Sequence, residues 1–213
     1  MLTRPAPKAS RTVRRGGDLR TAILRAARRL YLAHGTEGVT ARRVATAIGT
    51  SPTAIYLHFR GLGEILEHLR MEGHERLASY LMAVDASLPA PERLREMGRA
   101  YFRFGVDHPG YFALMFQGGP ASRRRREALQ REMSTLFILR DVVRAGMKRR
   151  ELRSDLDPTV VTNALWAEIH GVTALMTAGL LVETSAGHAD DVRDAVLDGA
   201  LAWLAPPGRA ERR

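Results

Sequence analysis

The stretch VTARRVATAIGTSPTAIYLHF, residues 39–59, decides the fold. Thr40 is an N-cap type followed by Val44, Ala45 and Ile48 at helical spacing, and Gly49 stops the run, so a helix of about two turns is expected here. Ser51 is a second N-cap, Pro52 takes the first helical position where a missing N–H costs nothing, and Ile55 and Phe59 lie four residues apart to face inward. Helices of about eight residues are not stable alone, so both must pack on a neighbour. Short helix, glycine turn, short helix is the outline of a helix-turn-helix, whose second member enters the DNA major groove.

The neighbour lies upstream. Leu19, Ala22, Ile23, Ala26, Ala27, Leu30 and Tyr31 recur at helical spacing, with Asp18 as the expected N-cap and Gly35 just beyond the end. Downstream, long helices are expected over Leu62 to Val84, Pro91 to Val106, Ser122 to Arg149, Pro158 to Leu181 and Ala189 to Leu204, with a short one from Tyr111 to Phe116. The fold class is therefore all-α: a three-helix DNA-binding domain joined to a larger helical domain. The expected boundaries are a disordered basic tail over 1–17, the DNA-binding domain over 18–62 with its helix-turn-helix at 40–60, a regulatory domain over 63–205 and a short tail over 206–213.

Charge separates these domains. The 213 residues carry 33 Lys+Arg against 23 Asp+Glu, a net +10. Residues 1–70 hold 13 basic and 4 acidic side chains, or +9, whereas residues 71–213 hold 20 and 19. Such asymmetry is expected when one end of a protein meets a polyanion, either nucleic acid or an anionic membrane surface. Arginine outnumbers lysine 31 to 2, a compositional bias, but bias does not explain why only the later residues balance their arginines with acids.

Several function classes fall away. There is no cysteine, hence no disulfide, thiolate metal site or cysteine nucleophile. The seven histidines form no zinc-type pair, and Gly61-x-Gly63 lacks the third glycine of a dinucleotide fingerprint, so neither an enzyme nor a cofactor is expected. Asp190, Asp191 and Asp194 lack a further ligand at helical spacing and suit the start of a helix instead. The longest apolar run, Gly171 to Val182, is too short to span a bilayer, and the first residues contain no secretory core, so a soluble cytoplasmic protein without membrane association is expected.

The ordered set from Thr40 through Gly49 and Ser51 to Tyr56-x-x-Phe59, preceded by the amphipathic first helix, resembles the TetR family of bacterial transcription regulators over about residues 18–75. His108-Pro-Gly-Tyr111 through Met115-Phe116, and Trp166-Ala-Glu-Ile-His170-Gly171, resemble the subgroup whose regulatory domain is named for its Trp-His-Gly signature. The resemblance implies a homodimer formed through the last two helices, a palindromic double-stranded DNA operator and a small, largely apolar effector. Repression is the commoner outcome in the family, and activation is the alternative. Leu62 stands where the family usually has a polar residue opening helix four, and Arg60 is the candidate to replace that phosphate contact.

Residue chemistry assigns the DNA-facing roles separately. Thr40 opens a helix whose free N–H groups suit a phosphate, and Arg42 has the fork geometry that reads guanine O6 and N7. Ser51, Pro52 and Thr53 open the recognition helix, the end that approaches base edges, while Tyr56 and His58 offer donors to the backbone. Thr40 and Ser51 would also be there as caps in any protein. Arg14 and Arg15 are candidates for a minor-groove arm. For the effector, the candidates are Phe102, Met115, Phe116, Phe137, Trp166 and His170, with Glu168 and Asn163 as further polar groups. Each of these also reads as ordinary core.

Overall fold

The computed structural model describes residues 16–116, 134–181 and 188–206, and all regular structure among them is helical. The helices are α1 (Gly16–Gly38), α2 (Ala41–Ile48), α3 (Pro52–Tyr56), α4 (Leu62–Met82), α5 (Ala90–Asp107), α6 (Pro109–Phe116), α7 (Ser134–Lys148), α8 (Pro158–Thr177) and α9 (His188–Leu204). The chain divides into two compact units, Met1–His68 and Leu69–Arg213, and the division falls within α4. The expected helical segment 122–133, the arginine run 123–126 and the Arg14–Arg15 arm lie outside the described residues.

In the first unit α1 packs on α2 and α2 on α3. Ile23, Ala26, Ala27 and Tyr31 from α1 meet Val44 and Ala45 from α2, with Ile55, Phe59 and Ile65 completing the buried set. Alanines on the inner face of α1 keep the helices close enough for the short ones to be held by packing. Two boundaries differ from the sequence reading. α1 starts at Gly16, so Asp18 sits in its first turn, where its carboxylate still complements the helix dipole. The regular helix breaks at Gly35 (φ 63, ψ −161), and one more turn follows to Gly38.

The second unit is built around α5, which packs against α6, α7, α8 and α9. Nine α5 residues are buried, among them Leu94, Met97, Tyr101, Phe102 and Phe104. Glycine sets two of the close approaches: a Cβ at Gly98 would run into Leu197 of α9, and one at Gly105 into Thr173 of α8. The α7–α8 linker is fixed at both ends. Glu151 accepts a hydrogen bond from the Ala90 N–H at the start of α5 (2.7 Å), and the Arg153 N–H donates to the Leu204 carbonyl (2.9 Å). Asp157 caps α8 by accepting from the Thr159 and Val160 N–H groups, with Pro158 at the first position. α8 ends at Thr177, earlier than Leu181, because Gly179 takes a left-handed conformation (φ 67) and turns the chain.

Candidate nucleic-acid interface and ligand cavity

Local chemistry builds the turn between α2 and α3. The Thr40 hydroxyl accepts from the Arg43 N–H (3.2 Å) and starts α2. Gly49, at φ 67 and ψ 40, ends it: the Gly49 N–H returns to the Thr46 carbonyl and the Thr50 N–H to that of Ala45 (2.9 Å). The Ser51 hydroxyl then accepts from the Ala54 N–H (3.3 Å), and Pro52 opens α3. α3 is only five residues long, so His58 and Phe59 sit in a turn past its end, both N–H groups bonded to the Ile55 carbonyl.

This geometry sorts the side chains by face. Val44, Ala45, Ile55 and Phe59 point inward, whereas Thr40, Arg42, Ser51, Pro52, Thr53, Tyr56 and Arg60 are all exposed and His58 is half-buried. Tyr56 is 56% exposed, which leaves its hydroxyl on the outer surface. Leu57, at 80%, joins it there; sequence reasoning missed this residue because a leucine in an amphipathic run is ordinarily assigned to the core. Arg43 is exposed beside Arg42. The Arg60 N–H donates to the Glu64 carboxylate in the first turn of α4 (2.8 Å), and the Arg60 side chain is exposed.

One interaction braces this unit from behind. The Arg20 guanidinium donates to Nε2 of His68 (2.6 Å) and lies 4.7 Å from the centre of the Phe59 ring, while His68 meets Phe59 edge-on. A buried aromatic thus clamps the end of the helix-turn-helix between α1 and α4.

The second unit holds an apolar cavity of about 60 Å³. Its walls come from α4 (His74, Leu77, Leu81), α5 (Leu94, Met97, Tyr101), α7 (Thr135, Leu136, Leu139), α8 (Leu165, Trp166, Glu168, Ile169) and α9 (Val196, Leu197, Leu201), with Phe116 of α6 among them. Of the six ligand candidates, Phe116 and Trp166 line it. His170 stands behind that wall: its ring packs on Phe116 (4.5 Å) and stacks on Phe112 (5.2 Å). Met115 is buried against Gly73 instead. Phe102 is buried beneath the Arg193 guanidinium, 5.2 Å from its ring centre. Phe137 is not brought to the cavity; it is 43% exposed with Arg140 stacked over it, because α7 turns Leu136 and Leu139 inward. Asn163 is exposed on α8.

A hydrogen-bonded chain closes the aromatic wall. The Trp166 indole N–H donates to the Tyr101 hydroxyl (3.3 Å), which in turn is hydrogen-bonded to Nδ1 of His170 (2.9 Å). Burial holds the Tyr101 phenol protonated by pushing its pKa up, against a smaller downward pull from Trp166. Desolvation lowers that of His170, which favours the neutral imidazole. Desolvation also raises the Glu168 carboxyl above its ordinary range.

A helix-turn-helix with an arginine-bearing outer face, carried on a chain whose other unit is a helical bundle around a cavity, defines a DNA-binding transcription regulator. Residues 23–69 match the family described as bacterial regulatory proteins, tetR family, and residues 94–200 match the tetracyclin repressor-like C-terminal domain. The chain belongs to the TetR family of transcriptional regulators. Solved structures agree in fold. A protein of unknown function from Rhodococcus sp. RHA1 is 24% identical, with 92% of this chain and 100% of that one covered and a TM-score of 0.75. The TetR family regulator PfmR from Thermus thermophilus is 25% identical over 84% of this chain and 97% of its own, with a TM-score of 0.59. The fatty acid degradation regulator FadR from Bacillus halodurans is 17% identical over 87% and 98%, with a TM-score of 0.66. No curated protein matches the chain.

Proposed function

We propose that this chain is a homodimeric repressor that binds a palindromic operator and is released from it when a small, largely apolar effector enters the cavity of the second unit. The observation that carries the reading is the outer face of residues 40–60. It presents Arg42, Thr53 and Tyr56 together, with the caps Thr40 and Ser51 beside them and every large buried side chain on the opposite face. In this reading Arg42 reads a guanine, the start of α3 at Ser51, Pro52 and Thr53 approaches base edges, and Tyr56, His58 and Arg60 hold phosphates.

Dimerisation is assigned to α8 and α9. Both helices leave large apolar side chains exposed, Val160 and Leu175 on α8 and Val192 and Trp203 on α9, a pattern that marks a surface waiting for a partner. Kinship with the Trp-His-Gly subgroup belongs to the same reading, since Trp166 and His170 meet on the Tyr101 hydroxyl.

Helix α4 is the lever. It carries residues of both units, places His74 in the cavity wall, and anchors α6 through the Arg70 guanidinium, which donates to the Leu114 carbonyl (3.1 Å). The cavity is much smaller than the roughly 300 Å³ at the low end of ligand pockets, so an effector must move its walls to enter. A ligand that binds only the expanded state shifts the population by that difference in affinity.

Footprinting on DNA upstream of the chain's own and neighbouring genes tests the proposal. Two protected half-sites about 34 Å apart centre to centre are expected, with reporter expression rising when the gene is deleted. Absence of any protected palindrome would overturn operator binding, and reporter expression that falls on deletion would replace repression by activation.

A further inference from the structure

Among the described residues the cavity lining is mostly apolar, with a few polar groups and one carboxylate. Among its described lining residues Glu168, at the exposed rim, is the single carboxylate, with neither lysine nor arginine beside it. The other polar groups that face the space are largely committed. The Trp166 N–H is given to Tyr101, and the Tyr101 hydroxyl both receives that bond and is hydrogen-bonded to His170. Thr135 is buried and offers a hydroxyl of either sense. His74 is buried on the α4 side of the wall, edge-on to Phe116 at 6.3 Å. An ionised carboxylate only accepts hydrogen bonds, so a ligand meeting Glu168 must supply a donor or a positive charge. A ligand carboxylate or phosphate in its place would set two like charges together against an apolar wall.

Aromatic rings on the same cavity lining favour a cation as well. Trp166 of α8 and Phe116 of α6 approach each other at 6.1 Å between ring centres, and both line the cavity with Glu168. Aromatic faces attract ammonium and guanidinium groups through their quadrupoles, most strongly where water is excluded. We propose that the effector is a cationic amphiphile, an apolar body carrying a protonated amine, with the amine paired to Glu168 beside the Trp166 and Phe116 rings. The upward displacement of the Glu168 carboxyl by desolvation fits a group whose charged form gains a partner only when a cation arrives.

The inference rests on the cavity being the effector site, and a matched ligand series keeps the two readings apart. Calorimetric titration of the full chain with decylamine, decanol and decanoate, all below their critical micelle concentrations, compares one apolar body with three head groups. The expected result is binding of decylamine about tenfold tighter than decanol, with decanoate weaker than both. Glu168→Gln should reduce the amine's advantage over decanol to about twofold with the melting temperature unchanged, and added salt should erode the advantage in the wild type. Decanol binding with no preference for the amine, a preference for decanoate, or an amine preference that survives Glu168→Gln would overturn the charge assignment and leave the cavity as an effector site. Failure of all three ligands to bind would overturn both readings.

Discussion

Arg42 and Tyr56 are both exposed in the helix-turn-helix, yet the chemistry proposed for each differs, and so does the expected effect of removing it. Arg42→Ala removes the proposed bidentate base contact, which should weaken operator binding by about 1–3 kcal/mol per half-site and relax the base preference at one position. Tyr56→Phe removes only the hydroxyl proposed to hold a phosphate, so affinity should fall by a similar factor across operator and non-operator DNA alike. Mobility-shift titration with matched duplexes separates the two. Unchanged affinity in both variants would refute the assigned face. Both side chains are exposed, so neither change should alter folding. The residues of this turn were legible in the sequence because their partners are local. Thr40 and Ser51 each accept from an N–H three residues on, and the Gly49 turn closes on Ala45 and Thr46.

Among elements, α5 and α9 are joined by charge as well as by the Gly98–Leu197 approach. Asp194 of α9 accepts from Arg99 of α5 (3.0 and 3.2 Å) and from Arg193 (2.8 Å), and Asp198 pairs with Arg95. The hydrogen bonds from Arg193 and then Arg99 hold the Asp194 carboxyl far below the ordinary carboxylate range. A depressed folded pKa contributes stability that is complete above the unfolded value, about 3.9, and is lost as pH falls through the folded one. Asp194→Asn should therefore lower stability at pH 7 by on the order of 1 kcal/mol, the Asp194 side chain being a third exposed and partly screened. Thermal melts from pH 7 to pH 2 should show that deficit shrinking below pH 4; a deficit independent of pH would mean that packing, not charge, was lost. Such pairings, 95 residues apart in sequence, escape a reading based on periodicity. The cavity escaped for the same reason. Phe137 and Leu136 are adjacent in sequence, and only packing of α7 on α5 and α8 decides which one faces inward. Phe116 and Trp166 were legible as candidates, but so were Phe102 and Phe137, which the fold spends beneath arginines.

At the scale of the whole molecule, the sequence's +10 resolves into +9 in residues 1–70, which carry the helix-turn-helix, and +1 in residues 71–213. A two-fold dimer doubles that local charge on the side that meets DNA. Binding by such a dimer releases condensed counterions, and the logarithm of the association constant falls with the logarithm of salt by about 0.9 for each phosphate neutralised. Arg60 is assigned a phosphate, and Arg42 a base. Arg60→Ala should therefore reduce the salt slope by about 2 per dimer with base preference intact, whereas Arg42→Ala should alter base preference and affect the slope less. Measuring operator affinity from about 50 to 300 mM salt for the three proteins checks both halves of the assignment. If Arg60→Ala leaves the slope unchanged, the phosphate missing at Leu62 is not recovered by Arg60, and the backbone N–H groups at the start of α2, capped by Thr40, become the anchor instead. That alternative predicts a distinct signature: Thr40→Ala would then lower affinity with little change of slope, because a helix N-terminus carries a partial charge rather than a full one.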